Sequence, residues 1–451
     1  MRVKLGQKLR LSEISMAIGA DVIKNQSATL TYVTTDTREM QMGDLFVAVK
    51  GEKHNGEDFS EFADKSGAFA VCSNPKFASI LYEKSQNALL NIAEYYIQTL
   101  PFILYKIGIT GSVGKTTTKE FLNILLKNSY KVHSSKGNYN SQTGMPMSVL
   151  AAESDTQILL CEMGMSCKGE ISRLSKCLSP TLAVITNIGT SHIGNLGSRR
   201  NIAKAKLEIT DGLSGGKLIV PHGEPLLKNY NNLITFSTDH KSADYCLKRE
   251  ENSKIKIYKG GDFYCEATFN LPEEHHLKCL AAATATAIEI GIKKEELVTQ
   301  ISTITHNNTR QNIVLREKRI FYTDFYNSSL ESVIAMINSA KDMYKANRKV
   351  LVLGDILELG NKSKSIHSAI GRAIPNGDFD GVFLFGKDVI NIQLALEQFG
   401  FPKEKIFINT DLSNPALTAN QIRDYTKEGD IIFMKASRAI KLERILECFK
   451  K

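Results

Sequence analysis

Tryptophan is absent from the 451 residues, and so is any apolar run long enough to span a bilayer. The second absence predicts a chain without membrane insertion. The opening residues, Met1 to Arg10, are too polar to form the apolar core of a signal peptide, which points to the cytoplasm. CxxC spacing is missing too. The eight cysteines, at 72, 161, 167, 177, 246, 265, 279 and 448, are scattered, and several lie in apolar runs. They are expected to be reduced core thiols rather than disulfide partners or zinc ligands. No repeat or low-complexity tract occurs. The net charge of +9 suits anionic ligands, but the lysines are spread along the chain instead of gathered in a block. Without a clustered patch and aromatic platforms, a nucleic-acid partner is not expected.

What remains is an ordinary globular composition, 42% hydrophobic and 23% charged, on a chain long enough for two or three domains. Short mixed segments fill the first hundred residues. Beyond them, apolar runs alternate with helical stretches, first at 102–109, 158–161 and 182–185, then at 350–353, 382–385 and 431–434. Such alternation predicts parallel sheets covered on both faces. The polar stretch 237–263 is expected to be irregular or antiparallel. The expected layout is α/β, with a small α/β N-terminal domain over 1–100, a central P-loop domain with a parallel sheet over 101–311, and a Rossmann-like C-terminal domain over 312–451.

One stretch carries chemistry directly: Gly108-Ile109-Thr110-Gly111-Ser112-Val113-Gly114-Lys115-Thr116-Thr117-Thr118-Lys119. It follows an apolar run and leads into a helical pattern with Phe121, Leu122 and Leu125 on one face. Strand, glycine turn and Lys-Thr at a helix start are the context of a phosphate-binding loop, although Ile109 stands where the strict pattern has its first glycine. Glycines let the backbone wrap a polyphosphate, and the helix N-terminus favours anions. Lys115 can reach the outer phosphates, and the Thr116 hydroxyl can ligate magnesium. The expected ligand is a nucleoside triphosphate.

In open α/β sheets ligands gather beyond the carboxyl ends of the strands, so the residues that close each run are candidates. Glu162 ends the run 158–161 and is a magnesium ligand or, alternatively, a helix cap or solvated carboxylate. His192 follows the run 182–185. A ligand or acid–base role there is balanced against an ordinary histidine. The loop 136–146, with Asn138 and Asn140, is either a connection or a substrate loop. Gly354-Asp355 and Lys435-Ala436-Ser437-Arg438 close two C-terminal runs, the latter supplying cations for phosphate or carboxylate.

Together these motifs resemble the Mur ligase family, and within it the type that adds D-alanyl-D-alanine to a UDP-N-acetylmuramoyl-tripeptide. The resemblance extends to Thr35-Asp36-Thr37-Arg38, Gly43 to Gly51, Gly137 to Asn140, Glu162 to Met165, Asn187 to His192, Ile202 to Lys206, Asp324 to Asn327 and Leu353 to Gly360. It implies ATP-dependent amide formation through an acyl phosphate, serving peptidoglycan precursor synthesis. By the same resemblance, Gly111 to Thr117 bind ATP, and Arg310 and Asp324 contact its phosphate and ribose. Thr116 and Glu162 would hold one Mg2+; His192 and a carbamylated Lys206 would hold a second. Lys435 would be a further active-site cation beside Lys115. Thr37, Arg38, Gly51, Asn138, Asn140, Tyr326 and Asn327 would meet the substrates, and the enzyme would be a monomer. His276 and Cys279 stand where the family carries asparagines against adenine. A relative adding another amine, or a nucleotide-binding homologue without catalysis, is the alternative.

Overall fold

Apart from residues 52, 53, 84, 214, 229, 231, 307–311, 344–346 and 451, the computed structural model describes the whole chain. Arg310 lies outside the described residues. Three sheets organise the molecule. In the first, strands Arg2–Arg10, Thr29–Thr34, Leu45–Val47, Phe69–Cys72, Ile80–Leu81 and Asp21–Val22 lie side by side in that order, parallel in the middle and antiparallel at both edges.

The central sheet has nine strands. Its continuous apolar runs, such as Leu182–Ile185 and Ile158–Glu162, are buried at every position, as strands covered on both faces must be. The strand Tyr105–Thr110 sits between those two, with Thr110 level with Ile185 and Ile109 level with Glu162. Three strand ends therefore converge. The run expected from 102 begins as a strand only at Tyr105, because Pro101 and Phe102 form a turn that leaves Phe102 and Leu104 exposed. At the far side, Tyr245–Arg249, Lys254–Lys259 and Asp262–Thr268 pair antiparallel, in line with the polar stretch expected there.

Helix Lys115–Leu126 starts at Gly114, whose φ of +83° favours glycine, and buries Thr118, Phe121, Leu122 and Leu125 along one face. It packs against helix Glu274–Ile290, whose small buried face of Ala281, Ala282, Ala285 and neighbours permits close approach. The C-terminal sheet orders Asn312–Arg316, Arg319–Asp324, Ile431–Lys435, Lys349–Gly354, Gly381–Phe385 and Ile406–Asn409, parallel except for its first pair. Its register sets Asp324 beside Lys435. All eight cysteines are unbridged. Six are buried as expected, while Cys167 and Cys448 are exposed surface thiols.

Candidate active site

The converging strand ends open into a cavity of about 490 Å³ shared by the central and C-terminal domains. One wall is the loop Gly111–Gly114 with Lys115, Thr116 and Thr117. Asn140, Glu162, His192 and Lys206 line it from the central domain, and Asp324, Tyr326, Asn327 and Lys435 from the C-terminal domain.

The loop is held in shape from the neighbouring strand end. Asn187 Oδ1 accepts from the amides of Ser112 and Val113 at 3.0 and 2.9 Å, and the Gly189 amide donates to Ser112 Oγ at 2.9 Å. A side chain at Gly111 would meet Thr186 Oγ1 at 1.8 Å, so the tight turn requires glycine there. Lys115 Nζ rests on the carbonyl of Gly111 at 2.8 Å. In the sequence Asn187 belongs to a motif but has no role of its own; its position two residues past a buried strand is the available signal.

Glu162 is fully buried, and its carboxylate takes hydrogen bonds from Thr116 Oγ1 at 2.5 Å and Asn140 Nδ2 at 2.7 Å. Lys206, in the last turn of helix Arg199–Leu207, is 2% exposed. Burial, and secondarily the charge of Lys115, push its amine well below the ordinary lysine range. His192 adopts a left-handed backbone, φ +62°, and its Nδ1 lies 2.5 Å from Glu358 Oε2. The hydrogen bond from His192 holds the Glu358 carboxyl below its usual range.

From the other side, Lys435 is 1% exposed; it pairs with Asp324 and donates to the Asn327 carbonyl at 2.8 Å. Glu331, not anticipated from sequence, joins the domains by accepting from Thr190 Oγ1 at 3.1 Å. The remaining expected residues lie elsewhere. Arg438 points away and pairs with Glu443, because the turn after Ser437 carries it past the cavity. Asp355 spends its carboxylate on the amides of Lys387 and Val389, both at 2.9 Å. Asn138 is exposed and outside the lining. Thr37, Arg38 and Gly51 belong to the N-terminal domain, where Arg38 bonds to Asp36 at 2.9 Å.

With this geometry in hand, the chain matches three family models. They are described as Mur ligase family, catalytic domain over residues 29–95, Mur ligase middle domain over 109–287, and Mur ligase, glutamate ligase domain over 309–438. The chain belongs to the Mur ligase family. It is 36% identical over 453 aligned residues to the UDP-N-acetylmuramoyl-tripeptide–D-alanyl-D-alanine ligase of Bacillus subtilis (strain 168), covering 95% of this chain and 96% of that one. Among solved structures of Mur ligases, MurF from Acinetobacter baumannii superposes with a TM-score of 0.87 at 25% identity over 99% of both chains. MurF from Thermotoga maritima in complex with ADP gives 0.80 at 28% identity, covering 92% of this chain and 96% of that chain. Among the described residues of this Mur ligase, no helix is long and apolar enough to cross a membrane.

Proposed function

We propose that this chain joins D-alanyl-D-alanine to a UDP-N-acetylmuramoyl-tripeptide with cleavage of ATP to ADP and phosphate, in the cytoplasmic synthesis of peptidoglycan precursors. The observation that carries the reading is the shared cavity: a phosphate loop and buried carboxylate on one domain face a buried Lys435 and Asp324 on another. The Bacillus subtilis relative is named for this reaction. In this reading residues 1–100 hold the uridine nucleotide through Thr37, Arg38 and Gly51, 101–311 hold ATP, and 312–451 complete the site on a monomer. Arg310 belongs to the same ATP-binding set.

The chemistry runs in two displacements. The tripeptide carboxylate attacks the γ-phosphorus, the bond to the ADP oxygen breaks, and an acyl phosphate forms. The dipeptide amine then attacks the acyl carbon and loses a proton, and phosphate leaves with the carbon–oxygen bond electrons. Lys115 shifts from the Gly111 carbonyl to the γ-phosphate, and Lys435 adds positive charge on the opposite side. Asn140, Tyr326 and Asn327 orient the substrates, and Asn138 serves them from the rim.

The residues fit magnesium in one place. Thr116 Oγ1 and the buried Glu162 carboxylate are hard oxygen donors side by side. No group of three or more His, Cys, Asp or Glu able to hold a metal occurs among the described residues, which suits an ion that keeps phosphate and water ligands. Bound there, magnesium would neutralise phosphate charge. A second ion would be held by His192 and Lys206 only if Lys206 is carbamylated. Burial favours the uncharged form of the Lys206 amine, and the uncharged amine is the form that takes up carbon dioxide.

Phosphate release measured with both substrates tests the reading. It should require the UDP-tripeptide and D-alanyl-D-alanine together, collapse in Lys206→Ala, and rise with bicarbonate in the wild type alone. Turnover of ATP indifferent to the dipeptide would overturn it.

A further inference from the structure

Three polar side chains are buried together where the central and C-terminal domains meet: Glu273 at 1%, Tyr322 at 1% and His276 at 2% exposure. Glu273 precedes helix Glu274–Ile290, His276 lies in its first turn, and Tyr322 comes from the C-terminal strand Arg319–Asp324. The Tyr322 hydroxyl donates to Glu273 Oε1 at 2.9 Å, while Glu273 Oε2 lies 3.0 Å from His276 Nδ1. His306 Nε2 is 3.8 Å from Oε1. The two carboxylate oxygens thus face two domains.

The same helix forms the wall of the cavity. His276 and Cys279 both line it, and Cys279 Sγ lies 3.8 Å from the carbonyl of Gly114, the residue before Lys115. A carboxylate without solvent must keep its partners, because losing one leaves a buried acceptor unsatisfied. Movement of the C-terminal strand that withdraws Tyr322 therefore changes what holds His276 at the cleft.

We propose that Glu273 is a positioning residue, and that the bridge Tyr322–Glu273–His276 couples the placement of the C-terminal domain to the grip of the cleft on its nucleotide. The proposal rests on the reading of the cavity as an ATP site. The bridge adds no reacting group. It makes nucleotide affinity depend on a hydroxyl that belongs to the other domain, which is coupling between two sites through a shared buried acceptor.

A double-mutant cycle on the full chain tests it, reading equilibrium binding of a non-hydrolysable ATP analogue with Mg2+. Tyr322→Phe should weaken binding by about threefold to tenfold, the range of one net hydrogen bond. In Glu273→Leu, which removes the acceptor, the same Tyr322→Phe change should have little further effect. If Glu273→Leu does not fold, His276→Asn replaces it in the cycle, with the same loss of effect expected. A structural role alone would lower the melting temperature of Tyr322→Phe and leave its affinity at the wild-type value. That result, or effects of the two substitutions that multiply in the double variant, overturns the bridge while the ATP reading stands. Failure of the wild type to bind the analogue overturns both.

Discussion

Glu162 Oε2 lies 2.5 Å from the hydroxyl of Thr116, so the last residue of one buried strand meets the first helical turn after the phosphate loop. The contact follows from sheet order, since Glu162 is level with Ile109 on the adjacent strand. Glu162→Gln keeps the shape and removes the charge. Phosphate release at saturating Mg2+ should fall on the order of a hundredfold, the scale of losing one preorganised electrostatic group. An unchanged turnover rate would remove Glu162 from the proposed magnesium site.

The acid side of the stability profile should report Glu273. Burial pushes its carboxyl up, but the hydrogen bond and charge of His276, with the charge of His306, outweigh burial and hold it at about 2, against an ordinary 4.5. A carboxyl depressed in the folded state contributes stability above its unfolded value and loses it as pH falls through the folded one. The contribution is therefore present at pH 5 and declines from about pH 4.5 toward 2. Its full size is on the order of 3 kcal/mol. The stability gap between wild type and Glu273→Gln in denaturant unfolding should narrow by about half between pH 5 and pH 3. A gap that stays constant contradicts the assignment.

Much of the site was legible because the chemistry sits at the ends of continuous apolar runs. Gly111 to Thr117, Glu162 and Lys435 each terminate or follow such a run, and parallel sheets bring those ends to one side. Periodicity alone could not separate Lys206 from Lys204 on one lysine-rich helix; packing buries the first and exposes the second. The link between Glu273 and Tyr322 spans 49 residues and two domains, and nothing in either segment announces it. His192 and Glu358 are similarly remote. Arg438 failed for a local reason, since the turn after Ser437 redirects the chain.

The pair Asp324 and Lys435 should respond asymmetrically to substitution. Lys435 is 1% exposed and Asp324 17%, so water can reach the carboxylate and not the ammonium. Asp324→Asn leaves a buried cation with a neutral partner and the Asn327 carbonyl. It should cost about 3 kcal/mol, as breaking a buried pair does. Lys435→Met leaves a carboxylate that can rehydrate, and should cost about 1 kcal/mol. Denaturant unfolding of the two variants decides this; equal losses would mean that the pair is solvated.

On the His192 side the domains also meet backbone to backbone at Gly194 and Gly360, which makes this contact sensitive to a single methyl group. A Cβ on Gly194 would meet the Glu358 carbonyl oxygen at 2.6 Å and the Gly360 nitrogen at 2.8 Å. Both are backbone atoms, so the strain cannot be relieved by a rotamer change. The Gly194 amide also donates to that Glu358 carbonyl at 3.0 Å, a bond that separation would break. Gly194→Ala should therefore move Asp324 and Lys435 away from the phosphate loop without touching the loop itself. A displacement near 1 Å is enough to lower turnover on the order of a hundredfold. Binding of a non-hydrolysable ATP analogue should weaken by no more than about tenfold, the scale set for loss of the Tyr322 contact, because the phosphate loop, Thr116 and Glu162 all belong to the central domain and stay in place. Turnover equal to wild type in Gly194→Ala would mean that this contact has no part in assembling the site.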